Sequence, residues 1–183
     1  FAQLLLAPRL AAALTSLVGE GWTANQGQVA ANFPDQGDPG QSWHVDGQQN
    51  NNVNPFTCLV CVALSDQMRA DVGNFHAAKG SHVPITEATR RWAEAKRDGK
   101  TQGVQYPAAI HRQCNPGKLS PVELPCGGAC IVHAKLAHRR GFNESDDIRY
   151  MAIFRIKSAR HAANNWSQVA EPFHPANYPG LQQ

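Results

Sequence analysis

The sequence contains few charged residues and lacks any long apolar run. Asp, Glu, Lys and Arg together make up 17% of the 183 residues, whereas soluble domains usually contain about 25%. This scarcity of charge, beside an ordinary apolar fraction of 42%, excludes a coiled coil, a fibrous repeat and a disordered tail. The longest apolar run, residues 58–64, is far shorter than the roughly 20 residues that cross a bilayer. We therefore predict a folded, soluble chain with no membrane span.

The sequence also has no stripe of basic residues. The net charge is only +3, and Arg90-Arg91 and Arg139-Arg140 are short basic pairs. A nucleic-acid backbone is bound by clustered cations, so we predict no nucleic-acid partner.

The five cysteines do not form a pattern typical of disulfides or zinc. Cys58 and Cys61 lie three residues apart in an apolar segment, where they would point to opposite faces of a strand. Cys126 and Cys130 lack a second His or Cys pair at zinc-finger spacing, and Cys114 stands alone. An odd count without a pairing pattern favours free, buried thiols in a reducing, intracellular compartment.

Glycine and proline are frequent, with 15 and 12 residues, which favours turns and short strands. Apolar spacing predicts one helix over residues 2–18 and a second between Pro84 and Gly99. Extended segments are predicted at residues 22–33, 57–64, 72–83, 129–134 and 149–156, and residues 100–127 show no clear period. We therefore predict a mostly β protein with two flanking helices, a single domain over residues 1–183 with an irregular tail over residues 158–183.

One pair of residues suggests metal chemistry. His44 and Asp46 flank a single residue, so in extended backbone their side chains share one face and can reach one metal ion. Two His and one carboxylate on a triangular face are typical of non-haem Fe(II) oxygenases, so a distant His is required. His138 is a candidate, because Asn143 and then Arg149, at an eleven-residue step, follow it.

At these residues the sequence resembles the phytanoyl-CoA dioxygenase family of Fe(II)- and 2-oxoglutarate-dependent oxygenases. The resemblance extends over residues 4–157, and its motifs occur in the family's order. They are Trp43-His44-Val45-Asp46-Gly47, Gly73-Asn74-Phe75-His76, Gly80-Ser81-His82, Lys135-Leu136-Ala137-His138 and Gly141-Phe142-Asn143.

The resemblance implies a double-stranded β-helix, or jelly roll, in which His44, Asp46 and His138 bind Fe(II) near the mouth of the barrel. It also implies that Arg149 anchors the far carboxylate of 2-oxoglutarate, for which a planar, bidentate guanidinium is suited. With O₂ as the oxidant, an unidentified small organic substrate would be hydroxylated while 2-oxoglutarate is decarboxylated to succinate. Retention of Asp46 argues against the halogenating relatives, in which a small residue replaces this carboxylate.

Three positions have competing interpretations. His133, five residues before His138, is the alternative third ligand. Arg155 lies on the same strand face as Arg149 and is the alternative anchor. His82 is interpreted as a residue at the end of a strand.

Departures from the family pattern leave a second function open. Lys79 stands where the family usually has Pro before Gly-Ser-His, and Arg139-Arg140 follow the distal His where small or hydroxyl residues are usual. The chain also starts late relative to the family and is expected to be part of a longer protein. A catalytically weak or inactive jelly-roll domain, acting as a structural or interaction module, is therefore the alternative. A cupin-type metal enzyme without 2-oxoglutarate would leave Arg149 unexplained.

Overall fold

The structure is a computed structural model that describes residues 2–34, 43–46, 56–103 and 119–161. A 3-10 helix at Ala2–Leu6 precedes helix α1 at Pro8–Val18, and helix α2 spans His82–Arg97. The strands are β1 (Thr23–Asn32), β2 (Cys58–Ala63), β3 (Phe75–Ala78), β4 (Leu119–Val122), β5 (Ala129–His133), β6 (His138–Arg140) and β7 (Arg149–Lys157). The described residues do not include Gly47, Cys114 or the tail beyond residue 161, for which the sequence yields predictions.

The strands form two antiparallel sheets, in the orders β1-β7-β2-β5 and β4-β3-β6. Their inner faces pack on one another, and the shared core includes Leu59, Phe75 and Met151. The predicted mostly β fold with flanking helices, a double-stranded β-helix, is thus confirmed. Sequential strands lie in different sheets at several points, so residues distant in sequence meet inside the barrel.

Helix α1 covers the outer face of the larger sheet. Leu14 and Val18 pack there against Val60, Phe154 and other outward residues of β2 and β7. The prediction of one continuous helix over residues 2–18 is wrong at Ala7, whose ψ of 125° is extended. The following Pro8 causes this break, because a proline disfavours helical backbone in the residue before it.

Helix α2 begins earlier than predicted. The extended segment expected to reach residue 83 ends at Ala78, and the chain turns at Gly80, which has a φ of +81°. Pro84 lies inside the first turn of α2, where its missing N–H leaves no hydrogen bond unmade. His82 is therefore the first residue of a helix, and its interpretation as a strand-end residue is wrong.

Two short strands, β4 and β6, were not predicted from the sequence. Strand β4 contains Pro121, which is tolerated because β4 lies at the edge of its sheet. Strand β6 is three residues long, too short to show a period. Both pair with β3, so the smaller sheet is held together by long-range contacts.

Cys58 and Cys61 point to opposite faces of β2, as predicted. Cys58 contributes to the core under α1 and Cys61 to the core between the sheets. Burial raises the pKa of Cys58 to about 12, so this thiol is unreactive at neutral pH. Cys126 is exposed, and the prediction of a buried thiol is wrong there, because this residue lies in the turn before β5.

The described helices are short. The longest, α2, has 16 residues, and within the described ranges no helix combines the length and apolar character needed to cross a membrane.

Candidate metal centre

Two backbone hydrogen bonds place His44 beside His138. The His44 N–H donates to the carbonyl of His138 at 3.0 Å, and the His138 N–H donates to that of His44 at 2.9 Å. This isolated antiparallel bridge ties the segment at residues 43–46 to the start of β6. The two imidazole centroids are 4.4 Å apart, so a histidine from each segment faces the same point.

Asp46 completes a group of three potential ligands. Its Oδ1 lies 3.3 Å from His44 Nε2 and 3.8 Å from His138 Nε2. The potential ligand atoms all lie within 4.8 Å of one another. The structure therefore brings together the three residues named from the sequence, at the edge of a cavity of about 540 Å³ between the sheets.

The protonation states in this group suit a metal. His138 Nδ1 lies 2.9 Å from the Leu136 carbonyl, which accepts a hydrogen bond from Nδ1–H and leaves the Nε2 lone pair facing the group. Burial, and then the neighbouring His44, lower the pKa of His138 to about 4, so the imidazole is neutral at pH 7. Burial alone would raise the pKa of Asp46, but His44, His138 and Arg155 together hold it well below its ordinary value. Two imidazoles, that of His138 neutral, and one carboxylate are a donor set that fits Fe(II) or another first-row divalent metal.

Arg155 contacts this group rather than the far end of the cavity. Its Nη2 donates to Asp46 Oδ2 at 2.8 Å, and its Nη1 donates to Gln26. Asp46 therefore turns one oxygen to the arginine and the other to the imidazoles. This role was not predicted, because period-two spacing places Arg155 on the inner face but gives no sign that residues 43–46 cross that face.

Arg149 points into the barrel from the first position of β7. It lines the cavity on the same strand face as Met151 and Ile153, as the alternation predicts, and only 5% of it is exposed. Its Nε donates to the Gly73 carbonyl at 2.6 Å and its Nη1 to the Ala30 carbonyl at 3.2 Å. Burial, and then the charge of Arg140, lower the pKa of Arg149 to about 10. It is still a cation at neutral pH.

A family model described as phytanoyl-CoA dioxygenase matches residues 1–151 of the chain. The chain belongs to the phytanoyl-CoA dioxygenase family.

Solved structures resemble this family member in fold. The epimerase SnoN, solved in complex with Fe³⁺, alpha ketoglutarate and nogalamycin RO, is 22% identical with a TM-score of 0.59, and the match covers 90% of this chain and 60% of SnoN. The alpha ketoglutarate dependent carbocyclase SnoK from nogalamycin biosynthesis is 17% identical with a TM-score of 0.59, covering 86% and 58%. HygX from Streptomyces hygroscopicus, solved with nickel and 2-oxoglutarate, is 16% identical with a TM-score of 0.56, covering 89% and 69%.

The matched proteins are longer than this chain, which spans between 32% and 69% of their lengths in the cases compared. No protein with a curated sequence matches the chain significantly.

In this phytanoyl-CoA dioxygenase family member, His133 lies outside the group of potential ligands. Its Nδ1 accepts a hydrogen bond from the Lys135 N–H at 2.9 Å, and its ring centroid is 4.9 Å from that of His82. Within the described ranges, the group of His, Cys and acidic residues that could hold a metal ion contains His138 and not His133.

Gly73 gives a test of how tightly the Arg149 end of the cavity is packed. Its φ is +77°, and an added Cβ would lie 2.6 Å from Asn32 Nδ2 and 3.1 Å from Arg149 Cβ. Gly80 has a similar φ of +81° with nothing within 4 Å. Because overpacking costs roughly 1 to 3 kcal/mol, we expect Gly73→Ala to lower the free energy of unfolding by about that much more than Gly80→Ala. Urea denaturation measures the difference, and equal losses in the two variants would mean that Asn32 and Arg149 are free to move aside.

Proposed function

We propose that the chain is an Fe(II)- and 2-oxoglutarate-dependent dioxygenase that hydroxylates a small organic substrate. In this proposal His44, Asp46 and His138 bind the metal, and Arg149 binds the far carboxylate of 2-oxoglutarate. The observation that supports it best is that a buried arginine lines the same cavity as a group of two imidazoles and one carboxylate. A metal site without this cosubstrate gives no reason for a cation there, since placing a charge in a buried site is costly unless a partner binds it.

When bound, Fe(II) with 2-oxoglutarate and O₂ would supply the oxidising chemistry, with succinate and CO₂ as the cosubstrate's products. Three protein ligands leave about three metal positions for other groups. The residues of this chain would hold the metal and orient its ligands. The hydrogen bond between Nδ1 and the Leu136 carbonyl fixes the ring of His138, and the hydrogen bond from Arg155 orients the carboxylate of Asp46. Phe75 stacks on His138 with its ring centroid at 4.8 Å and excludes water from one side of the ligand.

The cosubstrate end of the cavity is shaped by β1 and β7. The Gly73 and Ala30 carbonyls hold Arg149 through Nε and Nη1. A guanidinium fixed in this way matches the two oxygens of a carboxylate. Met151 and Ile153, on the same face of β7, would provide the apolar wall beside the methylene groups of 2-oxoglutarate.

Hydroxylation of a small molecule is the reaction we propose. A partly apolar cavity of about 540 Å³ is of the size that takes small ligands. The similar structures include a protein described as an epimerase and one described as a carbocyclase, so this fold carries more than one outcome. A purely structural or interaction module is not favoured, because it would need neither the ligand group nor a buried Arg149.

Production of succinate tests the proposed function. We expect the chain, supplied anaerobically with Fe(II) and 2-oxoglutarate and then exposed to O₂, to form succinate, as measured by mass spectrometry. The His138→Ala variant should form none above the metal-free background, because a ligand and its orienting contact to Leu136 are both lost. Succinate formation equal in the wild-type protein and His138→Ala, or absent from wild-type protein that binds both Fe(II) and 2-oxoglutarate, would contradict the proposal.

A further inference from the structure

Two cysteines face each other across neighbouring strands of the larger sheet. In the antiparallel pairing of β2 with β5, Cys61 lies directly opposite Cys130. Directly opposed residues share one face of a sheet, and here it is the inner face, because Cys61 belongs to the core between the sheets and Cys130 packs against that core. The register therefore brings two free thiols together.

The spacing of this pair suits a covalent bond. Opposed Cα atoms of antiparallel strands are about 4.5 to 5.5 Å apart, and disulfides join Cα atoms that are about 4.4 to 6.8 Å apart. The pairing of β2 with β5 continues in one register from Cys58 to Val62, so the backbone holds Cys61 and Cys130 at this spacing in the reduced protein. A bond between them needs rotation of the side chains and little movement of the backbone.

The two thiols are hydrogen-bonded to each other and differ in exposure. Cys61 is fully buried, whereas Cys130 is partly exposed. The Cys61 S–H donates to the Cys130 sulfur, and this hydrogen bond lowers the pKa of Cys130, although burial opposes the shift. The same hydrogen bond, and then burial, raise the pKa of Cys61. Because the thiolate is the reactive form of cysteine, Cys130 is suited to react first and Cys61 to react second.

We propose that Cys61 and Cys130 form a reversible disulfide between β2 and β5 when the protein meets a peroxide. The Cys130 thiolate attacks one oxygen of hydrogen peroxide, which breaks the O–O bond, forms a sulfenic acid and releases hydroxide. The Cys61 sulfur then attacks the sulfenic sulfur, forms the S–S bond and releases water. The two thiols lose two electrons and two protons in total, and one hydrogen peroxide is reduced to two molecules of water. An added dithiol reverses the reaction by exchange.

The disulfide would join a central strand of the larger sheet to an edge strand. Among the described strands of this sheet, β5 pairs with β2 alone. A bond between residues 61 and 130 closes a long segment of the chain, and such bonds restrict the unfolded chain, so we expect the oxidised protein to be the more stable form. Neither cysteine is among the described residues that line the cavity, so the pair can be tested apart from the proposed function.

Peptide mapping of the oxidised protein identifies the linked residues. The full chain is treated with hydrogen peroxide, its remaining thiols are alkylated, and it is digested with trypsin without reductant. Because trypsin cuts after Lys and Arg, Cys61 is released within residues 10–69, Cys130 within residues 119–135 and Cys114 within residues 113–118. We expect mass spectrometry to find the first two peptides linked, with a mass two hydrogen atoms below their sum. Dithiothreitol should separate them.

Alanine variants assign the link, because the first peptide also contains Cys58 and the second also contains Cys126. We expect Cys61→Ala and Cys130→Ala each to abolish the linked peptides. The matched controls are Cys58→Ala, at a fully buried position on the outer face of β2, and Cys126→Ala, at an exposed position. Both controls should form the link as wild type does. If Cys61→Ala does not fold, Cys130→Ala carries the test, since its position is partly exposed.

Thermal unfolding measures the effect of the bond on stability. The oxidised wild-type protein should unfold at least about 4 °C above the reduced protein, and Cys130→Ala should show no such rise after the same treatment. The proposal would be overturned by three results: no linked peptides in peroxide-treated wild type, linked peptides that persist in Cys130→Ala, or an unfolding temperature that does not rise on oxidation.

Discussion

Replacing Asp46 with alanine is expected to weaken Fe(II) binding by at least about 100-fold. Removing a residue that only hydrogen-bonds to a metal ligand already costs about 10- to 100-fold in metal affinity, and Asp46 is itself a proposed ligand. The substitution removes the carboxylate from the ligand group and leaves two imidazoles. Anaerobic calorimetric titration of Fe(II) into the protein measures the effect. Unchanged binding would show that the group formed with His44 and His138 is not where the metal lies.

The controls for Asp46 address its contact with Arg155. Asp46→Ala also leaves the guanidinium of Arg155 without its partner at 2.8 Å, and this loss could destabilise the protein by itself. Asp46→Asn keeps a carbonyl oxygen that can accept from Arg155 and removes the charge, so it should lose nearly as much Fe(II) affinity with less effect on stability. Asp66→Ala makes the same change of charge at an exposed position and should bind Fe(II) as wild type does.

The potential ligands could be found from sequence because their signal is local. His44 and Asp46 are separated by one residue, and the eleven-residue step from His138 to Arg149 spans β6, the connection at residues 141–148 and the start of β7. The period of two along β7 gave the face on which Arg149 and Arg155 lie. These patterns need no knowledge of how the sheets pack.

The contacts of Arg155 and Arg140 could not be predicted from local sequence patterns. The partner of Arg155 depends on a bridge between residues 44 and 138, and the hydrogen bond from Arg140 to Asn32 joins β6 to β1 of the other sheet. Arg139-Arg140 is a departure from the family pattern, but the sequence gives no sign that both residues line the cavity. Tertiary pairing decides this, as it also decides that Pro121 lies in an edge strand.

The remaining large effect concerns Arg149. We expect Arg149→Ala to weaken 2-oxoglutarate binding to the Ni(II)-loaded chain by about 30-fold or more, since removing one member of a buried charge pair costs roughly 2 to 5 kcal/mol and 1.4 kcal/mol corresponds to tenfold. Arg149→Lys should recover part of this loss, because a lysine supplies the charge without the fork. Ni(II) affinity should change little in both variants, as Arg149 is absent from the group of potential ligands.

Comparison with Arg155 makes the Arg149 result decisive. Both residues lie on one face of β7, but Arg155 is bound to Asp46 while Arg149 is held by carbonyls at the other end of the cavity. With Ni(II) saturating, so that any change in metal affinity is removed from the measurement, Arg155→Ala should bind 2-oxoglutarate within a few-fold of wild type. The reverse pattern would identify Arg155 as the anchor. If neither substitution changed the affinity, neither arginine would be the anchor, and the buried charge of Arg149 would serve another ligand.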